Sequence, residues 1–386
     1  VPQAITVPVV LAALLVLAAA VSAPVSAVSA EPTASLAAEE TVRIAVGRFN
    51  DAVTVVADEL VVRRLDGSAI AMADKQTKVS VGKAGLVVDG KATDRDVVVI
   101  NAPLLHLAKH SYRGALEVRL QTYKGRRELL VVHPLDLETY VTGIVSAELP
   151  RGWPLGAYQA QAVAARTFAV TQKYRRLDLP YHMESSVLDQ VYAGVGREHA
   201  LAEEAARTTR GLVLGAKRHL AQTYFHASCG GSTESAEEGW GSAIDYLPGS
   251  ACNHCGDANR ASWQVTIRRS DLDKAFKSTV GGPVTSIRIV SRTASGRVKR
   301  IEIASSKKKR TLKGADFRRA VGWSVVWSTQ IDKVTLGDKH LVVVGRGSGH
   351  GIGLCQWGAR GFALEGVAYQ DILHTYYPGA DLVRLY

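Results

Sequence analysis

The chain has 386 residues, 47% of them hydrophobic and 22% charged, with a formal net charge of +11. A single core rarely grows beyond about 250–300 residues, so two domains, or one domain carrying a large insertion, are expected. The composition is ordinary for a globular protein and excludes a chain too polar to build a core, while the positive balance suits anionic partners (nucleic acid, anionic lipid or cell-wall glycan) without choosing among them.

Residues 1–30 contain no charged side chain. An apolar run over residues 9–21 and Val28-Ser29-Ala30 before Glu31 have the form of a signal peptide with its cleavage site. The run is short for a membrane span. The basic residue that usually precedes such a run is missing, and a retained N-terminal anchor is the alternative reading. Export leaves nucleic acid out as a partner and places the four cysteines in an oxidising compartment. Residues 31–40 form an Ala-rich linker.

Short alternating runs at 42–46, 53–56, 60–63, 78–81, 85–88 and 96–100 predict strands, giving a β-rich N-terminal region over 41–108, read as a scaffold or wall-binding module. Residues 109–386 form the main domain. There, 112–120 and 128–132 make a hairpin through Lys124-Gly125. Leu137, Tyr140, Val141 and Ile144 follow at i, i+3, i+4 and i+7, one face of a helix, with Asp136 suited to its N-cap. That helix delivers Glu148 to a break, because neither Pro150 nor Pro154 fits a helix interior. A second helix starts near Pro154, with Gln159, Ala162 and Arg166 on one face and small Ala160, Ala164 and Ala165 for close packing. A carboxylate at such a break can be aimed into a cleft, which makes Glu148 the candidate active-site residue.

Further along, the chain passes residues 187–194 into a helix expected over 199–208, and strands are expected at 211–214 and 222–226. Residues 229–256, rich in Gly, Ser and Cys, form an irregular lobe. A strand at 263–267, a helix at 271–277 and a hairpin of 284–290 with 298–303 through Ser295-Gly296 make 262–335 a possible inserted subdomain. The run Lys307-Lys308-Lys309-Arg310 is either a solvated face or a contact for an anionic polymer. A strand at 341–344 leads into a glycine-rich loop with His350. The fold class is α+β.

Three ordered motifs carry a family resemblance: Pro134-Leu-Asp-Leu-Glu-Thr-Tyr-Val-Thr-Gly-Ile-Val-Ser-Ala-Glu-Leu-Pro150, Ala160-Gln-Ala-Val-Ala-Ala-Arg-Thr-Phe168 and Gly349-His-Gly-Ile-Gly-Leu-Cys-Gln356. With Tyr112-Arg113-Gly114, Asp189-Gln-Val-Tyr-Ala-Gly194 and Thr209-Arg210-Gly211, they make residues from about 110 onward resemble the stage II sporulation protein D (SpoIID)/LytB family. The resemblance implies an exported lytic transglycosylase acting on peptidoglycan glycan strands, in the periplasm or cell wall. The same family includes amidase enhancers, so a non-catalytic wall-binding protein that positions an N-acetylmuramoyl-L-alanine amidase is the rival reading. The resemblance places the catalytic glutamate on Glu148, the arginine of the second helix on Arg166 and the Gly-His-Gly loop on His350. Cys355 stands where the family usually has Ser.

A lytic transglycosylase needs one carboxyl group, protonated near neutral pH and so set in apolar surroundings; Leu149, Pro150 and Trp153 are placed to supply them. The alternative is a structural ion pair of Glu148 with Arg166, which would lower the pKa instead. Gln159, Asp189, Tyr192, His350 and Gln356 are candidates for binding or supporting substrate. His350, among Gly347, Gly349, Gly351 and Gly353, is either close to a sugar or part of a hydrogen-bonded structural turn. Four of His226, Cys229, Cys252, His254 and Cys255 have the spacing of a structural zinc site. A disulfide from Cys229 to Cys252 or Cys255, or free thiols, are the alternatives. The resemblance favours zinc, which transglycosylation itself does not require. A zinc deaminase is excluded, since His226 is not followed by the required x-Glu. Cys355 is left without a partner.

Overall fold

Alternating apolar residues turn the first third of the chain into strands. In this computed structural model, which describes residues 40–185, 189–190 and 192–386, they are β1 (Thr41–Phe49), β2 (Ala52–Val56), β3 (Leu60–Arg63), β4 (Ala69–Ala73), β5 (Gln76–Val81), β6 (Leu86–Val88), β7 (Lys91–Ala92), β8 (Val97–Leu107), β9 (His110–Tyr123) and β10 (Arg126–Asp136). The expected signal peptide, nearly all of the expected linker, and residues 186–188 and 191 of the motif around Asp189 lie outside the described residues. In β2, Val53 and Val55 are buried while Thr54 and Val56 face out. This is the period of two of a half-buried antiparallel sheet. The strands pair in the order β1-β10-β9-β8-β2-β5-β6-β7, with β3 on β8 and β4 on β3. The expected boundary at residue 108 falls in the turn between β8 and β9, which pair from Leu107↔His110 to Val97↔Arg119. At the predicted hairpin, Lys124 and Gly125 have φ of 50° and 77°. Positive φ at both residues is what a two-residue hairpin turn matching the strand twist requires.

The sheet hands over to α1 (Leu137–Glu148), capped by Asp136, whose carboxylate accepts from Thr139 N at 2.8 Å. Leu137, Tyr140, Val141 and Ile144 are all buried. α2 (Leu155–Arg175) is the central helix: from Ala157 to Gln172 every residue but Gln159 is buried. Its small residues let α1 and α3 (Ala200–Thr208) pack close. β11 (Met183–Glu184) lies parallel to β1. β12 (Leu212–Ala216), β13 (His219–Leu220), β14 (Phe225–His226) and the short α4 (Ala236–Trp240) follow.

A second core then forms from β15 (Trp263–Arg268), α5 (Arg269–Val280), β16 (Ser286–Arg292), β17 (Val298–Ala304), β18 (Lys309–Lys313), α6 (Gly314–Val321), β19 (Ile331–Leu336) and β20 (His340–Gly345). Its two sheets run β15-β20-β19 and β16-β17-β18. Leu272, Phe276, Ile301, Ile303, Phe317 and Val343 fill it. This core extends beyond residue 335, because β20 is the middle strand that joins β15 to β19. The chain returns to the first core through β21 (Leu354–Cys355), parallel to β14, then α7 (Gln356–Leu364), α8 (Tyr369–Tyr376) and β22 (Asp381–Arg384), which pairs with β12. The architecture is α+β. Among the described residues no helix is long and apolar enough to cross a membrane.

Candidate active site and metal centre

α1 stops at Glu148 because Leu149 turns extended (φ −107°, ψ 135°) ahead of Pro150. The break is stapled by Tyr158, whose hydroxyl donates to the Pro150 carbonyl at 2.6 Å, while Leu149 and Trp153 are buried beneath it. Glu148 Oε2 accepts from Gln356 Nε2 at 3.0 Å, and the same amide nitrogen reaches Gln161 Oε1 at 3.4 Å. Burial raises the Glu148 pKa and outweighs the opposing hydrogen bond from Gln356. Among the described residues no cation pairs with Glu148. It is the one carboxylate lining a shallow depression of about 380 Å³, with Arg151, Gly196 and Arg197 on the rim. A larger hollow of about 640 Å³ lies elsewhere, between Tyr174 on α2 and Tyr246, and takes no part in this site. Trp153 and Trp357 meet edge to face at 5.1 Å, with the Arg360 guanidinium 5.2 Å from the Trp357 ring.

Most of the other expected residues go elsewhere. Arg166 is fully buried and grips both Glu138 oxygens, at 2.9 and 2.6 Å. It also donates to the carbonyls of Ala206 (3.2 Å) and Leu212 (3.1 Å), so it ties α1, α2, α3 and β12 together and makes its ion pair with Glu138, not Glu148. Gln159 bridges to Thr208 on α3 at 3.0 Å. Asp189 binds Arg176 at 2.7 Å and accepts from Glu184 N at 2.8 Å. Tyr192 sits in a buried ring cluster with Tyr112, His133 and Tyr140. His350 Nδ1 accepts from Ile352 N at 3.1 Å, which leaves Nε2–H to donate to the Phe225 carbonyl at 2.9 Å. Burial pushes the His350 pKa down to about 4 and keeps the ring neutral. These contacts make a hydrogen-bonded turn, and His350 also lines a cleft of about 460 Å³ with Trp240 and Trp323. Of the expected supporting residues, Gln356 alone touches Glu148.

The sulfur atoms of Cys229, Cys252, Cys255 and Cys355 lie within 4.8 Å of one another, all buried. All four cysteines are free, and Cys229 and Cys255 approach to 3.5 Å. Tetrahedral ligation at about 2.3 Å puts neighbouring sulfurs roughly 3.8 Å apart, so the quartet fits a single zinc-sized, thiophilic ion. The surroundings fit as well. Cys229 N and Gly358 N each donate to Cys355 Sγ at 3.3 Å, and Tyr376 Oη lies 3.2 Å from Cys252 Sγ, the outer donors that metal-bound sulfur takes. Buried Arg297 adds a cation, donating to the Cys229 carbonyl at 2.5 Å. Gly358 has to be glycine: a Cβ there would lie 2.6 Å from Cys252 Sγ and 2.0 Å from Tyr376 Oη.

This set differs from the expected one. His226 turns Nδ1 to the Ile352 carbonyl at 3.2 Å, and His254 pairs with Glu365 at 2.9 Å and packs on Phe362. Their places are taken by Cys355, which the parallel pairing of β14 with β21 sets beside His226, three residues from Cys229. Two signals in the sequence pointed there: the total of four cysteines, and a Cys where the resemblance expects Ser.

Comparison with known proteins places this α+β scaffold in a class. The family model described as "Stage II sporulation protein" matches residues 125–215, which contain Glu148 and Arg166, and a domain of unknown function (DUF8618) matches 252–353. An uncharacterized protein of Brachyspira hyodysenteriae is 36% identical over 260 residues, covering 66% of this chain and 68% of that protein. Stage II sporulation protein D of Bacillus subtilis is 29% identical over 275 residues, covering 65% and 75%. The amidase enhancer of the same organism is 26% identical over 290 residues, of which the alignment spans 62% of this chain but 40% of the enhancer. The chain belongs to the SpoIID/LytB family.

Proposed function

We propose that the protein is an exported peptidoglycan lytic transglycosylase with Glu148 as its single acid/base. The reading rests on one observation: a lone carboxyl at a helix break, raised in pKa by burial and held by a neutral amide rather than a cation. Such a group is protonated where an exposed glutamate would not be, as a general acid must be. It donates its proton to the glycosidic oxygen as the bond from C1 of the N-acetylmuramic sugar to N-acetylglucosamine breaks. The C6 hydroxyl of the same muramic sugar attacks C1 and returns a proton to the carboxylate. The product carries a 1,6-anhydro end and no water is consumed, so the second carboxylate of a hydrolytic glycosidase has no task. Gln356 orients the carboxyl without neutralising it.

The cysteine quartet is proposed to hold one structural zinc ion. With four protein thiolates there is no open ligand position, so the ion supplies fold stability rather than an activated water. Cys355 is the residue before Gln356, so the centre fixes the start of α7 from which Gln356 reaches Glu148. The similarity to an amidase enhancer supports a second reading, a wall-binding protein that positions a cell-wall amidase.

The two readings separate on purified glycan strands analysed by mass spectrometry. Anhydro-ended products are expected from the wild type, with Glu148→Gln reducing their formation by about 10²–10⁴-fold while the fold is kept. Undiminished cleavage by the variant would remove Glu148 from the chemistry, and the absence of anhydro ends with the wild type would leave the enhancer reading.

A further inference from the structure

One buried charge has no anion to meet it. Arg297 ends the turn that joins β16 to β17, where the Thr293 amide donates to its carbonyl at 2.9 Å. Its side chain leaves the second core and enters the cysteine lobe, and only 2% of the residue stays exposed. Nη2 donates to the Cys229 carbonyl at 2.5 Å. Nε and Nη1 are enclosed and have neither a hydrogen-bond nor an ion-pair partner among the described residues. The guanidinium presses on Gly351, where a Cβ would fall 2.3 Å from its central carbon. A buried guanidinium without an anion is costly. The carboxylate that acts on it, Glu234, already accepts from Thr293 Oγ1 (2.6 Å), Ser295 Oγ (2.9 Å) and Ser235 N (3.1 Å). A second buried guanidinium, Arg318, donates to the Val326 and Gly349 carbonyls and repels the first. His226 and His350 lie close by and can add positive charge only. The other groups acting on Arg297 that can turn negative are the thiols of Cys229, Cys355 and Cys255.

Resting on the zinc ion proposed for the quartet, we infer that Arg297 is the counter-cation of the metal–thiolate centre, so that loading of the centre and seating of the β16–β17 turn are one linked equilibrium. Four thiolates around one divalent ion carry a net charge of −2, which Arg297 brings to −1. Four neutral thiols would leave two buried guanidiniums to a single carboxylate. Metal binding releases the thiol protons and so creates the anion that Arg297 lacks, and Arg297 in return favours the loaded form. By reciprocity, the affinity that the metal gains from Arg297 equals what the seated turn gains from the metal. The turn is also a joint between the cores, since Thr293 and Ser295 hold Glu234 and Arg297 holds the Cys229 carbonyl. A metal ion enclosed in the first core thus acts on the docking of the second. Neither step involves Glu148.

The test loads the full chain with zinc or cobalt(II) and compares Arg297→Met, which keeps the length and removes the charge, with Arg297→Lys. In competition with a chromophoric chelator, Arg297→Met should bind zinc at least about tenfold more weakly, a usual size for coupling between sites, and Arg297→Lys should lose less. In the cobalt form of Arg297→Met the sulfur-to-metal charge-transfer bands should move to longer wavelength, because a cation beside the sulfurs lowers the energy of their electrons. Affinity and spectrum are read on the loaded protein and do not need the metal-free chain to fold. Melting temperatures should change order: Arg297→Met below the wild type with zinc, and at or above it without, where the buried charge has no thiolate to meet. Amides 293–298 of the wild type should exchange hydrogen at least about tenfold faster once the metal is removed. A side chain that only packs would lower both melting temperatures alike and leave the bands in place, and that result overturns the inference. So does a Glu234→Gln background in which Arg297→Met no longer affects zinc affinity, since Arg297 would then answer to Glu234. A wild-type chain that takes up no zinc removes the metal reading and this inference together, whereas one ion bound with undiminished affinity in Arg297→Met removes this inference alone.

Discussion

At the scale of one residue, Glu148 sets protonation against charge. Its pKa is raised by burial, so the native state holds the proton more tightly than the unfolded chain does. The stability this contributes is complete below the unfolded value and is lost as pH rises through the native one. Glutamine has the same shape and no charge to desolvate. Thermal melts of Glu148→Gln should therefore match the wild type in acid and exceed it at higher pH. A difference between the two proteins that stays constant across pH would mean that Glu148 is not enclosed as described.

At the scale of elements, two clusters decide how the helices meet. Arg166 is the peg of the first. Arg166→Ala would leave Glu138 in a largely enclosed site without its cation, and breaking such a pair costs about 3–5 kcal/mol. Chemical denaturation should register that loss. Arg166→Lys should recover only part of it, because an ammonium cannot form the two-pronged contact to Glu138. If Arg166→Ala unfolds at the wild-type midpoint, the buried pair carries no weight. The second cluster is the cysteine quartet. Elemental analysis should find about one thiophilic metal ion per chain, as four thiolates require. Cys355→Ser should lose it, while His254→Ala, which removes a surface pair with Glu365, should keep it. Chelation should lower the melting temperature, since binding free energy at such a site is folding free energy. Full metal content in Cys355→Ser would return the fourth position to a histidine.

At the scale of the whole molecule, the His350 turn has a pH signature. His350 is half-buried, and desolvation pushes its pKa down to about 4. The unfolded chain, with an ordinary histidine near 6.5, binds the proton first. Stability from this group is present above about pH 6.5 and is lost as pH falls toward 4, by up to about 3 kcal/mol. His182, also pushed down to about 4, acts in the same direction. The melting temperature should fall across that interval, opposite in sign to the Glu148 contribution. His350→Gln, whose side-chain amide can still donate to Phe225, should flatten part of the slope. A melting temperature independent of pH from 7 to 4 would show that these rings are not held neutral.

What local rules govern was readable in the sequence. The cap at Asp136, the buried stripe of α1, the turn at Lys124-Gly125 and the break that strands Glu148 all follow from neighbours a few residues apart. A one-dimensional pattern contains that information. Gln356 was readable only as a member of a motif, since its partner lies 208 residues earlier. The partners of Arg166 and the fourth thiol were decided by the tertiary structure. Helix periodicity puts Arg166 on a face, but the fold of α1 against α3 and β12 sets Glu138, not Glu148, within its reach. In the same way, Cys355 joins Cys229, 126 residues earlier, because β14 and β21 pair in parallel, a register no local spacing encodes. Chain connectivity is local, whereas ion pairs and metal ligands are chosen by what packing brings within about 4 Å, and for both clusters that distance exists only once the first core has closed.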